Sequence, residues 1–354
     1  MVEISVNIKL QEKSYPIVIE NETIASLREK IFKNIEDNNY LVVVSQKVEK
    51  LYGKELNIPK ANKFVLKDGE KEKNFKTYQK IINAALKLQL TRKGTIIAIG
   101  GGVAGDISGF AASTYMRGIK FIQVPTTLLA AVDSSVGGKT AVDTKFGKNL
   151  VGSFYQPNLV LVNPKFLKTL DERQYKSGLG EVVKYGFIEK SCMCDEEFNL
   201  INYLNENFEK IAERDEKTLL RLIEICIKLK KSVVEKDEKE NDLRRILNFG
   251  HTFAHAIEVI TNYGYTHGEA VVCGIQMAFD LANKHGFADK NYSFFAQDFI
   301  KKFNFRDIPN LNKDKMVKIM QADKKADKNN IKFVLPTDYL TVGVFEFLLT
   351  TVFS

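Results

Sequence analysis

The chain has 354 residues, 44% hydrophobic and 27% charged, with a formal net charge of +8. A chain this long buries a core that needs no disulfide support, and typical domain sizes favour two domains over one. Its lysines are scattered, with no arginine-rich block or aromatic–basic ladder, which argues against nucleic acid and for a positive field around a cleft for an anionic small molecule.

Glu3, Lys9, Glu12 and Lys13 stand where a secretion signal needs an apolar core, and no apolar run approaches the ~18 residues of a membrane span. The four cysteines, Cys192, Cys194, Cys226 and Cys273, form no CxxC pair. A reduced, cytoplasmic protein without membrane partners is expected.

In chain order, Tyr40–Val44, Lys63–Leu66, Thr95–Ile99, Phe121–Val124 and Leu159–Val162 are Val- and Ile-rich and read as strands. Tyr78–Leu90 and Asp106–Thr114 between them read as helices. Strands alternating with helices predict a Rossmann-like, mostly parallel sheet covered on both faces. Thr95–Ile99 leads into Gly100-Gly101-Gly102-Val103-Ala104-Gly105-Asp106, so Gly100, Gly102 and Gly105 match GxGxxG between a strand and a helix. Glycines there let the backbone approach a pyrophosphate at a helix N-terminus. The acid expected about 20 residues on is missing, because the next strand ends at Val124-Pro125. A dinucleotide loop and a generic phosphate turn both remain open at this point.

Asp133-Ser134-Ser135-Val136-Gly137-Gly138-Lys139-Thr140 resembles the tail of a P-loop, but Asp133 occupies the position of its first glycine, so a P-loop is rejected. Lys139 and Lys148, each next to glycine, still suit phosphate or carboxylate groups.

Beyond Asn163-Pro164 helical patterns dominate: Arg173–Glu189, Phe198–Ala212, Lys217–Lys236, Leu243–Thr261, Gly268–His285 and Phe294–Phe303. Leu219, Leu222, Ile223, Cys226 and Ile227 repeat at helical spacing. The expected division is an α/β domain over residues 1–165 and an all-helical domain over 166–354. The charge run Glu235–Asp242 reads mostly as a solvated helix end. Three of the four histidines lie between Leu247 and His267. His251 and His255, spaced i and i+4, share a helix face and would form a ligand pair. His267, or Glu181 in its apolar helical stretch, could be the third ligand, and spacing does not choose among these sets.

Taken together, the residues resemble the 3-dehydroquinate synthase family over nearly the whole chain. The matching segments are Asp68-Gly69-Glu70, Gly100–Asp106, Arg117-Gly118, Gln123–Thr127, Ala131–Thr140, Gly147–Pro157, Glu181–Gly186, Leu247–Glu258, His267–Val271 and Asp323-Lys324-Lys325. The resemblance implies a lyase of the shikimate route to aromatic amino acids. Such an enzyme converts 3-deoxy-D-arabino-heptulosonate 7-phosphate (DAHP) into 3-dehydroquinate and phosphate. NAD is oxidant and then reductant, and a divalent zinc or cobalt ion assists.

It further implies Glu181, His251 and His267 as metal ligands, and His255, Lys139, Lys184, Asp133 and Glu240 as catalytic residues. NAD contacts carry over to Glu70, Lys73, Gly101, Gly102, Val103, Asp106, Thr126, Thr127, Lys139, Lys148, Phe166 and Thr169. Substrate contacts carry over to Arg117, Asp133, Lys139, Asn149, Lys184, Lys230, Arg244, Asn248 and Lys324 or its neighbour Lys325. A homodimer is implied as well. The chain departs from the family at Ser45-Gln46-Lys47, where a Thr-Asp-type stretch is usual on the adenosine side. It departs again at Gly180 and Ala254, in place of a common Ala and Gly, and at Glu72, where an aromatic residue is frequent. A metal-dependent polyol dehydrogenase, another sugar phosphate cyclase and a non-catalytic basic binding module are the rival expectations.

Overall fold

The structure is a computed structural model that describes residues 3–10, 13–33, 35, 39–323, 330–348 and 352. The chain forms two compact units, Met1–Leu170 with Glu209–Lys231, and Asp171–Phe208 with Ser232–Ser354.

The first unit is built on strands β1 (Glu3–Ile8), β2 (Tyr15–Glu20), β3 (Tyr40–Ser45), β4 (Lys63–Leu66), β5 (Thr95–Gly100), β6 (Lys120–Pro125) and β9 (Leu159–Val162), in the order β1-β2-β9-β6-β5-β3-β4. Only the β1–β2 pair is antiparallel; β2–β9, β9–β6, β6–β5, β5–β3 and β3–β4 are parallel. The continuous apolar runs make sense because both faces of the sheet are covered. Leu41, Val43, Ile96 and Ala98 pack on one face with Ile81, Ala85 and Ile107. Val42, Val44, Ile97 and Ile99 pack on the other with Leu27, Val48 and Leu56. A polar side chain at any of these positions would be buried without a partner.

The chain leaves β3 toward β4 but leaves β5 toward β6, so the carboxyl ends of β3 and β5 form a topological switch point, where open α/β sheets bind ligands. Ser45 ends β3 and Gly100 ends β5; a Cβ on Gly100 would lie 3.2 Å from Ser45 Cβ and 2.6 Å from Ala104 Cβ. The glycine therefore allows the sharp turn into the helix Gly102–Thr114.

Between β6 and β9, where the sequence reading offered no strands, β7 (Lys139–Thr144) and β8 (Gly147–Phe154) form an antiparallel hairpin. It lies on the Gly102–Thr114 helix where Gly109 leaves room: a Cβ there would meet Thr140 Cγ2 at 2.5 Å. The helix Glu216–Lys236 contributes its residues through Lys231 to this first unit. Arg214 Nη1 explains much of that return, since it donates to the carbonyls of Leu167 and Leu170 at 2.9 and 2.6 Å. The amphipathic stripe marked the helix correctly but carried no information about which body it covers.

The second unit is mainly helical but not all-helical. β10 (Asn330–Asp338) and β11 (Thr341–Leu348) form an antiparallel hairpin. Ile331, Phe333 and Leu335, each no more than 1% exposed, alternate at strand spacing and bury one face. Two expected helices are also broken. Phe198–Ala212 becomes Leu200–Glu206 and Phe208–Ala212. Leu243–Thr261 becomes a 3-10 turn, Leu243–Asn248, and a helix, His251–Ile260. Gly250 separates them at φ +78°, a backbone region that only glycine enters cheaply.

Candidate active site

In the second unit, Glu181 lies on the helix Glu172–Ile188, while His251 and His267 open the helices His251–Ile260 and His267–Lys284. Each of the three stands beside a glycine: Gly180, Gly250 or Gly268. A Cβ on Gly180 would lie 2.7 Å from Gly268 Cα, one on Gly268 would lie 1.9 Å from Ser177 O, and one on Gly274 would lie 2.1 Å from Gly250 O. These backbones touch where side chains are absent, and that contact brings the three donors together.

Nε2 of His251 and Nε2 of His267 lie 3.5 and 3.4 Å from Oε1 of Glu181. One donor atom from each residue falls within 4.8 Å of the others. Glu181 is fully buried, and its Oε2 pairs with the Lys184 ammonium, itself only 1% exposed. Nδ1 of His251 donates to Phe249 O at 3.1 Å, which leaves Nε2 as the free lone pair. Burial pushes the His251 pKa down to about 3, with Glu181 opposing. Burial acts on His267 too, but the nearby carboxylates of Glu181 and Glu258 outweigh it and raise that pKa to about 10. The His267 ring thus lies between two carboxylates, Glu181 at 3.4 Å and Glu258 at 3.8 Å. Two imidazole nitrogens and one carboxylate with that demand fit a zinc-like divalent ion.

His255 stands outside the donor cluster. It is exposed, and its ring centroid is 5.9 Å from that of His251 and 6.5 Å from that of His267. The helical-spacing pair His251–His255 is therefore corrected: the turn that separates them aims only His251 at Glu181. Among the described residues a second carboxylate group, Glu3, Glu20 and Glu22, also gathers. Lys30 pairs with all three, so their charge is answered within the chain.

In the first unit, Gly101 caps the Gly102–Thr114 helix with no side-chain hydrogen bond, which leaves the amide groups of Gly102 and Val103 at an open N-terminus. Cβ atoms on Gly101 and Gly102 would come within 3.0 Å of Thr127 Cγ2 and 3.2 Å of Ser134 Oγ, so backbone alone lines this cradle. Thr126 N donates to Gly100 O at 2.9 Å. Lys73, 4% exposed, pairs with Asp106 at 2.5 Å and with Asn149 Oδ1, and lies 3.9 Å from Glu70. Burial works against the Lys73 ammonium, yet Asp106 and Glu70 hold its pKa above the usual lysine range. Asn149 is pinned further by its own amide, which donates to Asp143 Oδ1 at 2.9 Å.

Lys148 is partly buried on the same strand, β8. Thr169 accepts or donates to Tyr52 Oη at 2.8 Å, and Phe166, 2% exposed, packs edge-on against the Tyr52 ring. A cavity of about 420 Å³ opens at the end of β3, lined by Gln46, Lys47, Lys50, Lys67, Asp68 and Glu72, where the chain departs from the family pattern.

Lys230 donates to Asp133 O and Oδ1 at 2.7 and 2.8 Å. Asn248 Nδ2 donates to Glu240 Oε1 at 2.8 Å. Arg244, 1% exposed, donates through Nη1 to Glu238 O. Lys139 is exposed at the open end of the β7–β8 hairpin, whereas Asn149 lies near its closed end. Arg117 precedes β6 and so lies near the amino end of that strand, whereas the glycine loop follows the carboxyl end of its neighbour β5. Lys324 and Lys325 lie outside the described residues.

Two residues of this site escaped the sequence reading. Glu258 had a usable signal, since it follows His251 by seven positions on one helical face; Asp143 had none.

The turn that carries Arg244 is anchored by Asp237, whose carboxylate accepts from the amides of Asn241, Asp242 and Arg244 at 2.9, 2.8 and 3.0 Å. Burial raises the Asp237 pKa, but these amides lower it more, to below the usual carboxylate range. A lowered pKa adds stability above the ordinary carboxylate value and loses it as pH falls through the lowered one. Asp237→Asn is expected to cost about 1–2 kcal/mol at neutral pH, with the gap closing on acidification below pH ~4. Urea melts across that range test it; an equal gap at every pH would count against the anchor.

Two family profiles match the chain: 3-dehydroquinate synthase N-terminal over residues 63–177 and 3-dehydroquinate synthase C-terminal over residues 178–326. A 3-dehydroquinate synthase from Prochlorococcus marinus subsp. pastoris is 40% identical over 351 residues, covering 96% of this chain and 95% of its own. One from Dictyoglomus thermophilum is 42% identical over 343 residues, covering 96% and 93%. The crystal structure of 2-deoxy-scyllo-inosose synthase, complexed with carbaglucose-6-phosphate, NAD+ and Co2+, superposes with a TM-score of 0.83 at 25% identity, covering 99% of this chain and 98% of that one.

Proposed function

The chain belongs to the 3-dehydroquinate synthase family, and on that premise we propose that it converts DAHP into 3-dehydroquinate and phosphate. The observation that carries the reading is the convergence of Glu181, His251 and His267 on one point beside a buried lysine.

Those three residues would hold a divalent zinc or cobalt ion, which would supply Lewis-acid polarisation of a bound oxygen. NAD, cradled by Gly101, Gly102, Val103, Thr126, Thr127, Glu70, Lys73, Asp106, Lys148, Phe166 and Thr169, supplies a hydride acceptor that each turnover regenerates. The protein's own part is positioning and charge neutralisation. His255, exposed beside the donor cluster, moves protons at the reacting oxygen, a task that suits imidazole. Lys184, paired with Glu181, orients its carboxylate. Lys139 and Asn149 take the phosphate, with Lys324 as a further candidate. Arg117 is a further candidate for the phosphate: it precedes Gly118, which lies beside Tyr155, and Tyr155 N donates to the carbonyl of Gly138, the neighbour of Lys139. Arg244 takes the substrate carboxylate through its planar guanidinium. Lys230, paired with Asp133, and Asn248, paired with Glu240, orient further polar groups. The protein works as a cytoplasmic homodimer in which the unit Met1–Leu170 with Glu209–Lys231 binds the nucleotide and the unit Asp171–Phe208 with Ser232–Ser354 binds the metal, in place of the division at residue 165. No helix among the described residues is long and apolar enough to cross a membrane.

Incubation of the purified protein with DAHP, NAD and zinc should release phosphate and form 3-dehydroquinate with no net NADH. Absence of phosphate release refutes the reading, and stoichiometric NADH would instead indicate a polyol dehydrogenase. A single monomeric mass in light scattering would remove the dimer.

The glycine contacts give a second test. Gly268→Ala inserts a methyl group against Ser177 O and forces the ligand helices apart. Overpacking of this kind costs about 1–3 kcal/mol, and the displaced His267 should weaken zinc retention at least tenfold. Thermal melts with metal analysis check it; full zinc content at unchanged stability would contradict the close-contact account.

A further inference from the structure

We propose that Glu258 is a positioning residue of the metal site, one that holds the His267 imidazole through Nδ1 so that Nε2 faces Glu181. The inference rests on the reading of Glu181, His251 and His267 as ligands and adds an assignment to it.

Glu258 Oε1 lies 3.8 Å from His267 Nδ1, on the side of the ring opposite the 3.4 Å approach of Nε2 to Glu181. Its side chain is 10% exposed, so its charge stands out of bulk water and its attraction for the imidazole is little screened. The other imidazole ligand has an equivalent restraint from a different group: the Phe249 carbonyl on His251 Nδ1, at 3.1 Å. Glu181 has the third, from Lys184. Each donor is therefore fixed from behind, and Glu258 is the only ionised group behind an imidazole in this set. A carboxylate there selects the tautomer with hydrogen on Nδ1 and makes Nε2 a stronger donor.

Sequence position supports the same role. Glu258 sits on the His251–Ile260 helix, two turns beyond His251, so one helix presents a ligand at its first residue and the restraint on the next helix's ligand near its end. A rotation of either helix would disturb both together.

The test is metal affinity rather than turnover. Zinc affinity is measured by chelator competition, and Co2+ is added to the full chain to record the visible ligand-field band. Glu258→Ala is expected to bind zinc about 10- to 100-fold more weakly than wild type and to shift the cobalt band. Glu258→Gln, which keeps an oxygen for Nδ1–H but loses the charge, should fall between the two. A merely structural role would lower the melting temperature of the metal-free protein while leaving zinc affinity and the cobalt band unchanged, and that outcome overturns the proposal. If Glu258→Ala does not fold, the Glu258→Gln comparison decides: wild-type zinc affinity and an unshifted band overturn the proposal. Glu181→Gln separates the two levels. Wild-type zinc binding in that variant overturns the metal reading and this inference with it. Loss of zinc in Glu181→Gln, with none in Glu258→Ala, overturns the inference alone.

Discussion

Glu181→Gln is expected to yield a folded protein that retains no stoichiometric zinc and turns over DAHP about a thousandfold more slowly or worse, because Lewis-acid stabilisation is worth several kcal/mol of barrier. The substitution keeps the shape of the side chain and removes only its charge. Two consequences then act in one direction. The ion loses its one anionic ligand, and the Lys184 ammonium, 1% exposed, loses its counter-ion in a place water does not reach. An uncompensated buried charge costs about 3–5 kcal/mol, so a lower melting temperature should accompany the loss of metal. Removing Lys184 as well, in Glu181→Gln/Lys184→Met, should recover part of that stability without recovering zinc. Metal analysis, calorimetry and the phosphate assay measure the three effects separately. Full zinc content in Glu181→Gln would end the assignment.

His255→Ala separates chemistry from metal binding. His255 is exposed, lies outside the 4.8 Å donor cluster, and sits on the same helix as His251. The variant should bind zinc and NAD as wild type does and lose about 10²- to 10⁴-fold in turnover, the usual contribution of a positioned acid–base group. Added imidazole should restore some activity if the missing function is proton transfer. Loss of zinc from this variant would instead restore the His251–His255 ligand pair that helical spacing favours.

Much of the first unit is readable from the sequence. Tyr40–Val44 and Thr95–Ile99 form strands because runs of β-branched residues are stable only where both sheet faces are covered, and each run lies within one residue of its observed strand. The glycine loop is equally local: a strand, a turn without side chains and a helix start follow in order over a few residues. The β7–β8 and β10–β11 hairpins are less legible. Gly147–Phe154 is exposed at most positions and so lacks a clean alternation, and Asn330–Asp338 follows a long series of helical patterns. The restraint by Glu258 leaves only a spacing hint, since it acts on a residue of another helix.

The sequence alone determined the alternating sheet, the glycine-rich strand–turn–helix and the short inventory of residues able to bind a metal, because these depend on neighbours along the chain. Residue spacing did not say which imidazole joins Glu181 and which turns away; the family resemblance implied it, and the tertiary structure shows the contact behind it. Glu181 and His267 are far apart in the chain, and they meet because Gly180 and Gly268 allow two helix backbones to touch. Helical spacing sees the i, i+4 pair on one helix; it carries no record of a contact between helices.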